Sequence, residues 1–274
     1  MTHISLRELL RELLGPRAWS RVEVVGDIVI IKRPFGSPAG EEYRRAAEEI
    51  LRRAPHVKSV WLAATPVSGA HKVRQYEHLA GERRSETVYR EHGCSFKLDI
   101  TKVFVSPRLS YEHLRVARLV REGEVVVNMF AGAGISSIVI AKKARPRLVH
   151  SIDLNEEAYR YMLENVRLNK VEGRVIPYLG DAAEVVRERL VGVADRVLMP
   201  LPALAIEYLP YALLALKGRG FLHIYLHVRS REEGEQVVRK GLEREGRPAK
   251  ILGSREVRSV GPRLEQVVVD VEVG

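Results

Sequence analysis

Val125-Val-Val-Asn-Met-Phe-Ala-Gly-Ala-Gly134 is an apolar, β-branched run that breaks into small residues. Val125 to Val127 reads as a buried strand, and Gly132 and Gly134 as the turn that ends it. Ile135-Ser-Ser-Ile-Val-Ile-Ala-Lys-Lys143 follows as a helix. A strand, a glycine turn and a helix start bring backbone N–H groups and the positive end of a helix around a ligand. Further on, Leu148-Val-His-Ser-Ile-Asp153 is a second strand closed by a carboxylate, a group that accepts hydrogen bonds from both hydroxyls of a ribose.

A dinucleotide site asks for a third glycine, in the spacing G-x-G-x-x-G. Gly132-Ala-Gly134-Ile-Ser-Ser137 lacks it, and the absence of G-K-[ST] rules out a P-loop. A glycine turn with a ribose acid and no pyrophosphate clamp suits a nucleoside cofactor without phosphates, of which S-adenosyl-L-methionine (AdoMet) is the usual one. A plain βαβ unit with a tight turn would show the same local pattern.

Outward from this stretch, β and α alternate. Strands over 148–152, 174–179, 196–199 and 221–226 are each followed by a helix, over 156–169, 182–190, 203–216 and 232–245. The chain closes with strands over 250–257 and 265–273 joined by a Gly-Pro turn. This implies an α/β fold: a mostly parallel sheet with helices on both faces and an antiparallel hairpin at one edge, the layout of a Rossmann-like class I AdoMet-dependent methyltransferase domain over 106–274. Before it, a helix over 5–14, a strand pair or bent strand over 22–31, a helix over 41–54 and a strand over 57–63 make a small α+β domain, 1–66. Residues 67–105 read as a β-rich charged connector, with charged loops at Gly69–Arg84 and short strands on either side of Glu91-His-Gly93.

Composition narrows the function classes. The 274 residues carry a formal net charge of +10, which favours a polyanionic partner, most simply a nucleic acid. No apolar run is long enough to span a bilayer, so no membrane association is expected. The N-terminus alternates charge with leucine and lacks a signal peptide's apolar core. A single cysteine, Cys94, leaves no internal disulfide and no cysteine-rich metal site. A cytoplasmic, monomeric protein is expected.

In such a sheet, ligands sit at the carboxyl ends of the strands. Four ends are chemically marked: Phe130 to Gly134, Asp153-Leu-Asn155, Asp181-Ala182 and Met199-Pro-Leu-Pro202. Asp181 suits the exocyclic amine of an adenine, or merely a helix N-cap. Pro200 and Pro202 suit either a helix start or a rigid wall beside the transferred group.

Several blocks together resemble one family: Glu77-His-Leu-Ala-Gly-Glu82, Arg90-Glu-His-Gly93, Lys102-Val-Phe-Val-Ser-Pro-Arg-Leu109, Val127 to Gly134, Ile152-Asp-Leu-Asn155 and Asp195 to Pro202. The chain is similar, over roughly residues 20 to 273, to the archaeal and eukaryotic tRNA (guanine-N1)-methyltransferases that modify the guanosine 3′ of the anticodon, position 37. A sister branch transfers the aminocarboxypropyl group of AdoMet to the wybutosine precursor at the same nucleotide. The resemblance implies a short archaeal form, expected to lack the extra N-terminal domain of many members.

The resemblance implies an AdoMet pocket at Phe104, His113, Phe130, Gly132, Gly134, Asp153, Leu154, Asn155, Asp181, Ala182 and Met199. It implies a general base, Glu112, which would remove the proton of guanine N1, with Lys72, Pro200 and Pro202 beside the target base. It places the tRNA anticodon stem-loop against Lys72, Arg74, Arg83, Arg84, Arg108 and Arg115. Five positions depart from the family pattern: Pro200 stands for an Asn, Lys72 for an Arg, Phe104 for a hydroxylated aromatic, His113 for an Arg and Asn128 for an acid. The expected activity is methyl transfer to N1 of guanosine 37. The alternatives are aminocarboxypropyl transfer, methylation of a tricyclic guanosine at the same nucleotide, and a tRNA-binding paralogue with weak catalysis.

Overall fold

The computed structural model describes residues 6–14, 22–32, 40–63 and 75–274. The chain divides into two compact units, one running to Glu91 and resuming over Ser95–Pro107, the other comprising His92–Cys94 and Arg108–Gly274.

The first unit contains α1 (Leu6–Leu14), β1 (Val22–Val25), β2 (Ile28–Lys32), α2 (Glu41–Arg53), β3 (Ser59–Ala63) and β4 (Tyr76–Gly81), then the hairpin of β5 (Glu86–Glu91) and β6 (Cys94–Asp99). The first four strands form one sheet in the order β1-β2-β3-β4, with β2 and β3 parallel across α2. On α2, Tyr43, Ala46, Ala47 and Ile50 are buried; their spacing makes one helical stripe, which packs with Leu9, Leu10, Val29, Ile31, Val60 and Leu62. Gly26 makes the β1–β2 turn at φ +60°, and a Cβ there would lie 2.2 Å from the Thr87 hydroxyl oxygen, so only glycine fits.

The charged stretch read as part of a connector is not a separate piece. Its strand β4 pairs antiparallel with β3, Tyr76 opposite Ala63, and so completes the first unit's sheet. Polar residues on a half-exposed outer strand hide the alternation that marks a buried one.

The second unit begins with α3 (Ser110–Leu119) and continues as β7 (Val125–Asn128), α4 (Ile135–Lys143), β8 (Leu148–Asp153), α5 (Glu156–Leu168), β9 (Val175–Leu179), α6 (Ala182–Arg189), β10 (Ala194–Met199), α7 (Leu209–Ala215), β11 (Leu216–Val228), α8 (Arg231–Arg244), β12 (Ala249–Gly261) and β13 (Leu264–Val273). Its seven strands run in the order β12-β13-β11-β10-β7-β8-β9. From β11 to β9 all neighbours are parallel, while β13 is antiparallel to both β11 and β12. The chain reverses direction across the sheet between β7 and β10, which opens a crevice at their carboxyl ends. The outermost strand, β12, is irregular in three places, at Ile251/Gly253, Glu256/Arg258 and Ser259/Gly261. The core between sheet and helices is aliphatic, with Val127, Val197, Leu222, Ile224 and Val269 fully buried.

The expected helix over 203–216 is shorter than its pattern. Residues 203–208 form successive turns, and α7 starts at Leu209. Pro210 has no N–H to donate and is tolerated in the first helical turn, so the helix begins just before it. Leu216 belongs to β11 instead, where it pairs with Ala194. Among the described residues no helix is long and apolar enough to cross a membrane.

Candidate active site

The marked strand ends converge at the crevice. After β7, Met129 N–H donates to the Leu198 carbonyl at 3.0 Å and Ala131 N–H to the Ile152 carbonyl at 2.8 Å, so the glycine loop is tied to both neighbouring strands. Gly132 adopts φ +56° and Gly134 φ +83°, both in the left-handed region where glycine is favoured. The two differ in their surroundings. A Cβ on Gly134 would lie 2.9 Å from Met162 Cγ, whereas nothing lies within 4 Å of a Cβ on Gly132. Gly134 is therefore required by helix–helix packing, and Gly132 faces open space suited to a ligand.

Asp153, at the end of β8, reaches back to this loop. Its Oδ2 accepts from Gly132 N–H at 2.6 Å and its Oδ1 from Asn155 N–H at 2.9 Å. A carboxylate oxygen accepts more than one hydrogen bond, which is the chemistry that the two hydroxyls of a ribose ask for. Leu154, next in sequence, is 52% exposed, an apolar surface left bare at the crevice. Asn155 caps α5, its side-chain oxygen accepting from Glu157 N–H at 3.0 Å.

Asp181 caps α6 by accepting from Ala183 N–H at 2.8 Å, so its N-cap reading holds. Its other oxygen accepts from the hydroxyl of Tyr208. The Tyr208 ring meets Phe130 edge to face, with centroids 5.2 Å apart. Burial first, then the Asp181 hydrogen bond, pushes the Tyr208 hydroxyl well above its ordinary value, so it stays protonated and donating. Sequence reasoning did not find Tyr208; it lies in the irregular turns before α7, where no motif marks it. Ala182 and Met199 are buried, and Pro200 and Pro202 are half-buried at the end of β10. Asn128 is buried and donates to the Ser137 hydroxyl at 3.0 Å, a neutral pair where an acid would have needed a countercharge.

The donor set at this crevice fits a nucleoside: an open glycine position, a carboxylate beside it, and apolar and aromatic surface at Leu154, Phe130 and Tyr208. Of the other expected pocket residues, His113 is half-buried on α3, and Phe104 belongs to the first unit.

A second feature lies under α3. Glu112 is only 3% exposed. Arg115 grips it with both arms, Nε to Oε2 and Nη2 to Oε1, each at 2.8 Å. The Tyr225 hydroxyl donates to Oε1 at 2.6 Å. Arg115 also donates to Asp270 at 2.6 Å and 3.1 Å. Asp270 lies 2.6 Å from His223 Nδ1, His223 Nε2 lies 2.9 Å from Arg196, and Arg196 is paired with Glu124 at 2.8 Å and 3.1 Å. Burial and then Glu112 push the Tyr225 hydroxyl well above its ordinary value. Burial opposes the charge of Asp270, but the bonds from His223 and Arg115 outweigh it and hold the carboxyl well below the usual range. Burial pushes His223 down, so it is neutral, donating from Nδ1 to Asp270 and accepting from Arg196.

This corrects the reading of Arg115 as a tRNA contact. Its guanidinium is 14% exposed and engaged by two carboxylates, leaving no fork for a phosphate. Arg84 is likewise engaged, by Asp27 at 3.1 Å, by Glu82 at 2.6 Å and by the Glu86 carbonyl at 2.8 Å. Arg83 and Arg108 are exposed, and Arg108 donates to the Ser259 carbonyl at 3.1 Å. Lys72 and Arg74 lie outside the described residues. The network partners Tyr225, His223 and Asp270 carry no sequence signal, because the register that sets His223 opposite Asp270 is a property of the folded sheet.

Comparison with known proteins adds a family. The model of the TRM5/TYW2 methyltransferase domain matches residues 87–251, and that of the TYW2 N-terminal domain matches residues 4–84. The chain is 47% identical over 257 residues to a tRNA 4-demethylwyosine(37)-methyltransferase, Taw21, of Saccharolobus solfataricus, covering 93% of this chain and 94% of that protein. It is 37% identical to a tRNA (guanine(37)-N(1))-methyltransferase, Trm5b, of Pyrococcus abyssi, covering 92% of this chain and 74% of the other. Among solved structures, a complex of aTrm5 with tRNALeu superimposes with a TM-score of 0.86 at 32% identity, covering 100% of this chain and 79% of that one. The Methanocaldococcus jannaschii TYW2 bound to AdoMet superimposes with a TM-score of 0.69 at 29% identity, covering 92% of this chain and 99% of the other.

Proposed function

Because the chain belongs to the TRM5/TYW2 methyltransferase family, we propose that it transfers a methyl group from AdoMet to the tricyclic guanosine derivative 4-demethylwyosine at position 37 of tRNA. The observation that carries this choice is the 47% identity, over nearly the whole of both chains, to a relative of that activity. The state of Glu112 supports it. A guanine attacking through N1 must lose the N1 hydrogen, which needs a free base. Here both oxygens of Glu112 are occupied by Arg115, and one also by Tyr225. In a tricyclic guanosine whose third ring closes over N1, the methyl is accepted at another atom of the base, and the proton it displaces leaves from that atom to water rather than from N1 to Glu112.

The residues divide the work as follows. Asp153 accepts from the ribose hydroxyls, Gly132 leaves room for the nucleoside, and Phe130, Leu154, Asp181 and Ala182 border the adenine. AdoMet, when bound, supplies an electrophilic methyl group. The target base leaves its loop to reach it, and Pro200 and Pro202 form a stiff wall beside it. Arg83 and Arg108 supply exposed cations for phosphates of the anticodon stem-loop. Catalysis is then chiefly positioning.

A second reading, methylation of guanine N1 itself, is favoured by the 37% identity to Trm5b; it requires Glu112 to exchange its present partners for the substrate. Mass spectrometry of nucleosides separates the readings. The protein is incubated with AdoMet and either an unmodified transcript with G37 or a tRNA carrying 4-demethylwyosine. Gain of one methyl on the tricyclic base alone supports the proposal. Formation of 1-methylguanosine, abolished by Glu112→Gln, replaces it with the second reading. An aminocarboxypropyl adduct refutes methyl transfer.

A further inference from the structure

Tyr111 is the residue before Glu112 on α3, and it is 63% exposed, more than any other large hydrophobic residue among the described residues. Arg255, on β12, lies over that ring with its guanidinium carbon 4.8 Å from the centroid. Unlike Arg115 and Arg196, Arg255 makes no ion pair among the described residues, and its buried Nε has no hydrogen-bond partner. An aromatic face held in water beside an unneutralised guanidinium is the composition of sites that stack bases of single-stranded nucleic acid. As a purely structural pair the arrangement is costly, since it exposes apolar surface and leaves a donor unmet.

Its place in the fold is equally specific. Arg255 is opposite Val268, and Val268 is opposite Tyr225, so the three lie in one row across β12, β13 and β11. Tyr225 holds Glu112 and Arg255 covers Tyr111. The ring is thus one residue away from the carboxylate expected at the target base. Farther along β12, the exposed Arg108 bonds to Ser259 and brings a second cation to the same strand.

We propose that Tyr111 and Arg255 form a stacking platform for the tRNA base adjacent to the target nucleotide, with Arg255 neutralised by the neighbouring phosphate. This rests on the reading of tRNA as substrate. It gives the unstacked neighbour of a flipped base a surface to replace the one it loses.

The test uses the full chain and tRNA transcripts carrying 2-aminopurine at position 36 or 38. The wild-type protein is expected to quench one of the two probes on binding. Tyr111→Ala should lose that quenching and bind about tenfold more weakly or worse, and Tyr111→Phe should retain both. Arg255→Ala should weaken binding and flatten its salt dependence, which a packing defect would not. AdoMet affinity by calorimetry should be unchanged in all three variants. Quenching at neither position by a wild-type protein that binds the tRNA, or wild-type behaviour of Tyr111→Ala, overturns the platform and leaves the proposed function intact. Failure of the wild type to bind tRNA overturns both.

Discussion

Replacing Arg115 by methionine tests the reading of the buried network most sharply. Arg115 is the only cation that touches both Glu112 and Asp270 among the described residues, and its side chain is 14% exposed against 4% and 20% for theirs. Without it two largely buried carboxylates lose their countercharge. Breaking a buried ion pair in this way costs about 3–5 kcal/mol, and in a unit of this size each kcal/mol lowers the melting temperature by about 2–4 °C. A loss of about 6–20 °C is expected in thermal unfolding followed by far-UV circular dichroism, with a matching loss in urea. Asp270→Asn should cost less, about 1–3 kcal/mol, because it leaves Glu112 and Arg115 paired and weakens, without leaving a buried charge unpaired, the bonds of residue 270 to Arg115 and His223. The pH dependence carries the sign. Asp270 is depressed in the folded protein, so its stabilisation is full above the unfolded value of about 3.9 and is lost as the pH falls below it. In Arg115→Met, Asp270 loses one of the two partners that depress it, so the deficit should shrink as the pH falls below about 4. A deficit below about 1 kcal/mol at pH 7, or one that stays constant as the pH falls from about 4 to about 2, refutes the assignment of a charge-coupled network.

Three further outcomes follow from the crevice and its supports. Asp153→Asn removes the charge that accepts from Gly132 and Asn155, and should lower AdoMet affinity by about 10- to 100-fold in calorimetry while the fold is kept. Gly134→Ala should destabilise by about 1–3 kcal/mol in urea unfolding, since its Cβ would meet Met162 at 2.9 Å, whereas Gly132→Ala should cost about 1 kcal/mol of backbone strain yet lose AdoMet binding. Tyr208→Phe leaves Asp181 with only its capping bonds and should lower stability by about 1 kcal/mol; no change in melting temperature would argue against that hydrogen bond.

How much of this was legible in the sequence depended on the range of the interaction involved. The glycine loop, Asp153 and the alternation that gives the parallel sheet are local patterns, and they stand where periodicity and spacing put them. The hairpin of β1 and β2 was legible because Gly26-Asp27 interrupts two aliphatic runs. The strand β4 was not, because its outward residues are as polar as a loop's and only pairing with β3 makes it a strand. The shortened α7 shows a proline prevailing over an otherwise helical pattern. Arg115 was the instructive miss. Its charge and position both suggested phosphate binding, and only the approach of β13, with Asp270 155 residues away, assigns it to the interior.

The three irregularities of β12 bear on behaviour in a crowded solution. A seven-stranded open sheet ends in two bare edges, and a flat outer strand of 13 residues would offer a long row of unpaired backbone groups to any other strand. Each irregularity offsets the pairing by a residue and increases the local twist, so a second copy laid along the strand loses register within a few residues. Lys250, Arg255, Glu256 and Arg258 add charge along the same edge. The hairpin that closes the sheet thereby also keeps it from growing into an aggregate.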